Sequence, residues 1–213
     1  MIPTSHPRYV SLKTRDLIVD GVKKGITSMH GLIAQGRGEA FDYMIGEKTN
    51  AKAKKAIDQA CMMLLKAKKP IISVNGNVAA LVPKEIIKLS KKIPADIEVN
   101  IFHTSSVREK KIKNYLIKMG ANKVLLPSKK CKLKFIDHNR KYINKDGINK
   151  ADVVFVPLED GDRCQALRKN GKKVITIDLN PMSRTAKTAN ITIVDNITRA
   201  MKLINKRMHE LKK

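Results

Sequence analysis

From Pro70 onward, short apolar runs alternate with amphipathic helical segments, and this alternation limits the possible folds more than any other feature of the chain. Short runs rich in β-branched residues are typical of strands buried on both faces. Strands separated by helices form βαβ units, which place the strands parallel in one sheet. Six runs are predicted to be strands, at residues 71–74, 97–102, 123–126, 151–157, 174–177 and 191–194.

The six predicted strands fall into two halves of three. By analogy with doubly wound folds, this division predicts the strand order 3-2-1-4-5-6, with right-handed crossovers that follow from strand twist. The predicted fold class is therefore α/β, with a Rossmann-like, mostly parallel six-stranded sheet and an N-terminal helical region. Residues 1–69 form that helical region and residues 70–213 the Rossmann-like nucleotide-binding domain, and we expect the two parts to pack as one compact unit.

The N-terminal region is predicted to contain three helices, each with apolar residues at three- and four-residue spacing. The second of these helices follows a cap formed by Thr27 and Ser28. Its glycines, Gly36 and Gly38, are expected to bend it, because glycine weakens a helix interior. The bend would expose Arg37 to solvent or to a ligand.

The formal net charge is +25, from 44 Lys and Arg residues against 19 Asp and Glu residues. Such an excess fits a nucleic-acid-binding protein, a membrane-surface protein or an enzyme of anionic substrates. Residues 108–150 carry 14 basic and 3 acidic residues, so a nucleic-acid-binding protein that uses this patch is the alternative function. Only eight aromatic residues are present, which is few for a base-stacking surface. Nucleic-acid binding is therefore not expected to be the main function.

Several other classes are disfavoured. No run approaches the roughly 18 uncharged apolar residues that span a bilayer, and the start of the chain lacks the apolar core of a secretory signal, so the protein is expected to be cytoplasmic with no membrane partner. Cys61, Cys131 and Cys164 are widely spaced and odd in number, which predicts reduced thiols rather than a disulfide framework or a zinc site. The five histidines are interpreted as surface or cap residues, because no two stand at metal-ligand spacing.

The basic stretch from Pro127 to Asn149 has no sustained period. A small hairpin is predicted around Asp146-Gly147, a dipeptide that favours tight turns. Because long structureless loops are uncommon in compact domains, the stretch is expected to be a functional excursion or an interface element.

Polar residues follow the first and fourth predicted strands, which should flank the point where the strand order reverses. Asn75-Gly76-Asn77 is interpreted as a turn that leads to a helix starting near Pro83. Gly76 would let a phosphate or carboxylate approach backbone N–H groups, and the asparagine amides would donate to it. An ordinary turn remains the alternative interpretation.

An acidic cluster, Glu159, Asp160 and Asp162, follows the fourth strand. Two or more of its carboxylates could meet Mg²⁺ or orient an amine, although acids also favour a helix N-terminus without any ligand. Asp162 and Arg37 are the candidates for catalysis, the arginine because it could reach an anion. Which carboxylates bind metal stays open.

The segment between the last two strands carries the best candidates for binding a nucleotide. Asp178 ends a buried strand, where an acid either accepts a ribose hydroxyl or caps the next turn. Arg184 and Thr185 suit a phosphate through charge-assisted hydrogen bonds. By contrast, Gly36-Arg37-Gly38 lacks a preceding strand and a third glycine, so a dinucleotide fingerprint is not supported and a nicotinamide dehydrogenase is disfavoured.

Five long blocks of the sequence also match a known pattern. They are SHPRY with Arg15 downstream, GLIAQGRGEAFDYMIGEKT, ISVNGNVAALVPKEII, ADVVFVPLEDGDR, and VITIDLNPMSRTA followed by ITIVDN. Together they resemble the archaeal phosphopantothenate synthetase family, the 4-phosphopantoate–β-alanine ligases of coenzyme A biosynthesis. The resemblance spans nearly the whole chain, and only Lys129 to Asn144 looks unlike the family.

The resemblance implies a dimeric, Rossmann-like ligase that uses ATP and Mg²⁺ to join 4-phosphopantoate to β-alanine, with release of AMP and diphosphate through an acyl-adenylate. It implies ATP contacts at Arg15, Arg37, Asp178, Leu179, Asn180, Arg184, Thr185, Asn196 and Ile197. The residues themselves add Asn75, Gly76 and Asn77 as candidates for binding 4-phosphopantoate, and Asp160 or Asp162 as candidates for the amine or the metal.

Overall fold

The computed structural model describes residues 2–212. Its helices are α1 (Tyr9–Lys23), α2 (Met29–Met44), α3 (Ala51–Lys66), α4 (Gly76–Leu81), α5 (Pro83–Lys92), α6 (Ser106–Lys118), α7 (Gly161–Lys169), α8 (Arg184–Thr188) and α9 (Ile197–Glu210). Its strands are β1 (Pro70–Val74), β2 (Asp96–Val99), β3 (Val124–Leu125), β4 (Ser128–Lys132), β5 (Tyr142–Ile143), β6 (Val153–Phe155), β7 (Lys173–Ile177) and β8 (Ile191–Ile193).

The main sheet has the order β3-β2-β1-β6-β7-β8, and every neighbouring pair in it is parallel. The α/β class and the predicted strand order are therefore confirmed. At the centre of the sheet, Ile72 of β1 lies beside Ile97 of β2 on one side and Phe155 of β6 on the other. The order reverses between β1 and β6, so the carboxyl ends of these two strands flank a crevice.

Both faces of the sheet are buried, which explains why its strands read as continuous apolar runs. One face, including Ile72 and Phe155, belongs to a core that continues into α3, α5 and α9. On the other face Val154 belongs to a second core with Leu133 and Ile143. The basic stretch after β3 therefore covers one side of the sheet.

The N-terminal helices pack directly on this framework: α1 contacts α4, and α3 contacts β8 and α9. Gly21 permits the close approach of α1 to α4, since a Cβ there would lie 2.7 Å from the Cβ of Ala80. The Thr49 hydroxyl donates to Asp195, 2.6 Å away, ahead of α9. None of the helices within residues 2–212 is long and apolar enough to cross a membrane.

The second helix is not interrupted at its glycines. α2 runs without interruption through Gly36 and Gly38. Glycine lowers helix stability by about 1 kcal/mol but keeps its backbone N–H, so the i→i−4 bonds continue. Arg37 is consequently presented by a regular helix.

The helix after β1 also begins earlier than predicted. Asn75 is the N-cap of α4 and its side chain accepts the Val78 N–H at 3.1 Å, so Gly76 and Asn77 belong to the first helical turn. A separate helix, α5, starts at Pro83 as expected of a proline at a first helical position.

The predicted hairpin around Asp146-Gly147 is wrong as well. β5 pairs antiparallel with β4, so the basic stretch forms its own two-stranded sheet. The Asn144 N–H instead donates to the buried Glu98 carboxylate at 2.9 Å. Contacts with β2 therefore decide how this turn folds, and they lie far away in sequence.

Candidate functional site

A cavity of about 670 Å³ lies along the carboxyl edge of the main sheet. The segments that follow β1, β2, β6, β7 and β8 all line it, because parallel strands end at one edge of a sheet. Its volume is typical of small-molecule sites. The predicted site residues that line it are Arg37, Asn75, Gly76, Asn77, Asp160, Asp178, Leu179, Asn180, Arg184, Thr185, Asn196 and Ile197.

Two predicted site residues do not line the cavity. Arg15 projects from α1 and donates two hydrogen bonds to Glu39 of α2, from Nε to Oε2 and from Nη2 to Oε1, each 2.9 Å long. This contact lowers the pKa of the Glu39 carboxyl, mainly through the hydrogen bond from Arg15. Asp162 lies outside the cavity and pairs with Arg184 at 2.5 Å.

The loop after β7 is fixed by its own side chains. Asp178 accepts the Asn180 N–H at 2.9 Å and the hydroxyl of Ser183. Ser183 in turn caps α8 by accepting the Ala186 N–H at 2.9 Å. Asp178 therefore caps its turn, and the loop presents Arg184 as the first residue of α8.

Arg184 and Thr185 differ in what they can offer a ligand. The Arg184 side chain is 61% exposed and donates to Asp162. The Thr185 side chain is buried and its hydroxyl donates to the backbone oxygen of Glu159 at 2.9 Å. The guanidinium can thus turn toward an anion, whereas the threonine hydroxyl is already used within the protein.

A buried polar network holds α2 against α9. Asn196, the N-cap of α9, donates to Asp42 at 2.8 Å and accepts the Thr198 N–H at 3.0 Å. Arg199 bridges Asp42 and Asp195. Burial opposes the charge of Arg199, but its two carboxylate partners outweigh burial and raise its pKa. The network fixes the side of α2 that faces the cavity.

Arg37 lies one turn before this network on α2 and lines the cavity. Its side chain forms no hydrogen bond or ion pair with any other of residues 2–212. Its full set of guanidinium donors is therefore open to an anionic ligand.

At the end of β1 the predicted amide donors are partly occupied. Asn75 donates to the Leu158 oxygen at 2.8 Å, and Asn77 donates to the Gly31 oxygen at 2.9 Å while accepting from the Thr27 hydroxyl. A Cβ at residue 76 would lie 2.6 Å from the Ile26 oxygen, so glycine is required there by packing. One amide hydrogen on each asparagine is left for a ligand.

The segment after β6 contains a buried charge network that the sequence analysis missed. Glu159 lies between Arg140 and Arg163, and Asp160 also accepts from Arg140. Asp160 caps α7 through the Arg163 N–H at 2.8 Å. Asn100, which follows β2, accepts from Arg140 Nε at 2.8 Å. Arg140 gave no signal in sequence beyond one charge in a basic run.

An aromatic group forms the β2 end of the cavity. The ring of His103 lies 4.3 Å from His30, and Phe102 stacks on His138 at 4.3 Å. Loss of solvent and the neighbouring His30 lower the pKa of His103, which favours its neutral form. Arg108 lines the same end and donates to the His103 backbone oxygen. Phe102 and His103 follow β2 in the chain, which is the one signal in the sequence that could identify them as site residues.

Within residues 2–212 no group of three His, Cys, Asp or Glu side chains is arranged to hold a metal ion. The cavity carboxylates of Glu159, Asp160 and Asp178 all accept hydrogen bonds from protein donors.

Comparison with known proteins agrees with the resemblance seen in the sequence blocks. The family described as phosphopantothenate/pantothenate synthetase matches residues 52–213, about three quarters of the chain. The chain is 52% identical over 212 residues to the 4-phosphopantoate–β-alanine ligase of Methanosarcina mazei, covering 100% of this chain and 83% of the relative. It is 51% identical over 214 residues to the ligase of the same name from Thermococcus onnurineus, covering 99% and 81%. The chain therefore belongs to the phosphopantothenate/pantothenate synthetase family.

Proposed function

We propose that the protein is an ATP-dependent ligase that condenses 4-phosphopantoate with β-alanine to 4′-phosphopantothenate in coenzyme A biosynthesis. The observation that carries the proposal is a single cavity along the carboxyl edge of the sheet, long enough to join the segments after five strands. The names of relatives that are half identical over nearly the whole chain support the same activity. We also expect the enzyme to be cytoplasmic, as the composition and the cysteine pattern of the sequence predict.

ATP binds in the half of the cavity formed after β7 and β8. Arg184 and Arg37 contact the phosphates, because both are cavity arginines with unused donors, and Arg–phosphate pairs are among the strong hydrogen bonds. The loop from Asp178 to Asn180 lies against the nucleoside, with Asn196 and Ile197 at its rim. For Arg15 the proposal rests on the family resemblance alone.

4-Phosphopantoate binds in the other half, near Asn75, Gly76 and Asn77. The spare amide hydrogens of Asn75 and Asn77 suit its carboxylate, and Arg108 at the β2 end of the cavity suits its phosphate. β-Alanine enters beside Asp160, a cavity carboxylate after β6 whose side chain keeps 29% of its surface exposed.

The reaction proceeds in two steps on this framework. First, a carboxylate oxygen of 4-phosphopantoate bonds to the α-phosphorus of ATP, and the bond from that phosphorus to the bridging oxygen breaks and releases diphosphate. Next, the neutral amine of β-alanine bonds to the acyl carbon, the bond from that carbon to the AMP oxygen breaks, and the amine loses a proton. Arginines near the phosphates stabilise the charge that develops in the first step.

Mg²⁺ is expected to accompany ATP on its phosphates. It would supply charge neutralisation there, and no protein ligand is assigned to it because the cavity carboxylates already accept hydrogen bonds. Asp162 lies outside the cavity and forms an ion pair with Arg184. This placement favours a role in holding Arg184 over a role in proton transfer.

Nucleotide analysis of a complete reaction tests the function and the chemistry together. Purified protein with ATP, Mg²⁺, 4-phosphopantoate and β-alanine should form AMP in equal amount with 4′-phosphopantothenate. ¹⁸O in the substrate carboxylate should appear in AMP, since one of its oxygens leaves with the nucleotide. ADP as the only nucleotide product would overturn the adenylate step. Pantoate serves as a control, and its use in preference to 4-phosphopantoate would overturn the proposed substrate.

We also propose that the enzyme is a homodimer. α2 carries an exposed apolar stripe, with Met29, Ile33 and Met44 on one side of the helix. Apolar side chains exposed along one side of a helix are a typical surface for binding another protein. A second copy of the chain is the occupant favoured by the family resemblance.

A further inference from the structure

Arg140 reaches the cavity from the basic stretch, on a 3₁₀ turn at Asn139–Lys141 between β4 and β5. Its side chain is only 5% exposed. Nε donates to the Asn100 side chain at 2.8 Å, and Nη2 donates to the Asn100 backbone oxygen at 3.2 Å and to Glu159 at 3.0 Å. Nη1 donates to Glu159 and to Asp160. All five guanidinium N–H groups are therefore engaged by protein acceptors.

This saturation argues against a direct role in binding substrate. An arginine that contacts a phosphate needs unused donors, as Arg37 and Arg184 have, whereas Arg140 would have to break buried hydrogen bonds first. What Arg140 does instead is fix the two carboxylates that follow β6. Glu159 is wholly buried by Arg140 and Arg163, while the Asp160 side chain keeps 29% of its surface exposed.

The placement of Arg140 is itself fixed from β2. Asn100 is almost wholly buried directly after that strand. Its amide nitrogen donates to the backbone oxygens of Tyr142 at 3.0 Å and Arg140 at 3.3 Å, and its oxygen accepts from Arg140 Nε. The basic stretch is thus attached to the sheet at the point where it delivers its arginine.

We propose that Arg140 is a positioning residue that holds the Asp160 carboxylate in place, directed at the amine of the incoming amino acid. The inference rests on the proposed function, because it takes the amino group of β-alanine to be the partner of Asp160. Within that function, the proposal assigns a role to the basic stretch of residues 127–149, which supplies the arginine that holds Asp160 in the amine site.

The charges around Asp160 support this assignment. Burial alone would raise the pKa of Asp160, but Arg140, the Arg163 N–H and the Arg163 charge outweigh burial, and the pKa is lowered. Burial raises the pKa of the neighbouring Glu159 carboxyl, and a hydrogen bond with Glu159 helps to lower the pKa of Asp160. Asp162 and Arg184 lie beyond Gly161. Asp160 therefore stays an acceptor at neutral pH, as a group that orients an amine must.

Steady-state kinetics of Arg140→Lys and Asp160→Asn in the full chain test the assignment. Lysine keeps one charge but cannot make the planar, five-donor contact, and asparagine keeps the N-cap of α7 without the charge. KM for β-alanine should rise roughly tenfold in each variant, while KM for ATP should stay within about twofold.

The pH profile gives a second measurement. In Arg140→Lys the acidic limb of the pH profile of kcat/KM for β-alanine should move to higher pH, because the ionised form of Asp160 loses part of its stabilisation. Lys141→Gln, one residue away and outside the cavity, is the control and should leave both constants unchanged.

The double variant separates positioning from simple structural damage. If Arg140 acts through Asp160, Arg140→Lys combined with Asp160→Asn should raise KM for β-alanine no further than Asp160→Asn alone. Three outcomes would each overturn the proposal: additive effects of the two substitutions on KM for β-alanine, equal rises in KM for ATP and for β-alanine, or an acidic limb of the pH profile that stays in place. Wild-type protein that forms no 4′-phosphopantothenate would refute the proposed function instead, so the two failures are distinguishable. Should Arg140→Lys fail to fold, Asp160→Asn with an unchanged KM for β-alanine still overturns the proposal.

Discussion

At the scale of single residues, the important distinction is between donors that a ligand can use and donors that the protein already uses. Thr185 lines the cavity, but its hydroxyl donates to the backbone of Glu159. Arg184 lines the same wall, and its only ion pair within residues 2–212 is an exposed one with Asp162. Exposed pairs contribute little to stability, so Arg184 can exchange this partner for a phosphate at low cost.

Arg184→Ala should therefore weaken ATP binding without unfolding the protein. Loss of one charge-assisted contact corresponds to about 1.5 to 3 kcal/mol, or roughly ten- to a hundredfold in Kd. Isothermal titration with Mg-ATP measures it. Lys187→Ala removes a neighbouring exposed charge on α8 that lies outside the cavity, and its Kd should match the wild type. Equal Kd values for all three proteins would remove Arg184 from the ATP site.

At the scale of elements, the β4–β5 excursion is part of the core. Leu133 and Ile143 pack against the second face of the main sheet, and the turn that follows β5 is tied to β2. Glu98 makes this tie, accepting N–H groups from Asn144 at 2.9 Å and Ile148 at 2.7 Å. A Cβ at Gly147 would lie 2.0 Å from the Glu98 carboxylate, so the turn fits closely over that group.

The buried Glu98 carboxyl should make the free energy of unfolding depend on pH. Burial raises the pKa of Glu98 to about 7, against the two N–H bonds and Arg163, which lower it. Between the pKa of Glu98 in the unfolded chain and about 7, the folded protein holds a proton on Glu98 that the unfolded chain has lost. The stabilisation from this proton is therefore fully present below the unfolded pKa and is lost as the pH rises through about 7. The free energy of unfolding should fall by roughly 2 to 3 kcal/mol more between pH 5 and pH 8 in the wild type than in Glu98→Gln.

Urea unfolding of the two proteins at both pH values gives this difference directly. Glu98→Gln keeps the side-chain shape and one acceptor oxygen but cannot titrate. The difference between the two proteins therefore isolates the effect of protonating Glu98. Identical pH dependence in both proteins would show that Glu98 does not titrate in this range.

At the scale of the whole molecule, the carboxyl edge of the sheet faces the cavity and α2 lies over it. The +25 charge has no single location, and even the net +11 of residues 108–150, from 14 basic and 3 acidic residues, is divided among α6, the β4–β5 sheet and the following turn. A nucleic-acid role for that patch stays a prediction. Part of the same stretch has a structural task, because its apolar residues close one face of the sheet.

The exposed stripe on α2 predicts the assembly. Ile33 is 75% exposed and Met62, on α3, is 42% exposed. In light scattering after size exclusion, the wild type should have twice the 23.9 kDa mass of the chain, and Ile33→Asp should be monomeric because an aspartate in an apolar interface must lose its hydration. Met62→Asp lies outside the stripe and should remain dimeric. A wild-type monomer, or a dimer of Ile33→Asp, would contradict this interface.

The sequence by itself determined the α/β class, the strand order and the polar residues at the strand ends, because the periods of helices and buried strands are local properties of the chain. It placed Asp178 and Arg184 after a strand end for the same reason, whereas Asn196 entered the candidate site through the family resemblance. Only the tertiary structure decided that Asn100, Arg140 and Glu159 meet, since residues so distant in sequence come together through packing alone. It also decided which donors are already occupied, because that depends on neighbours, such as Leu158 beside Asn75, which no local pattern reveals.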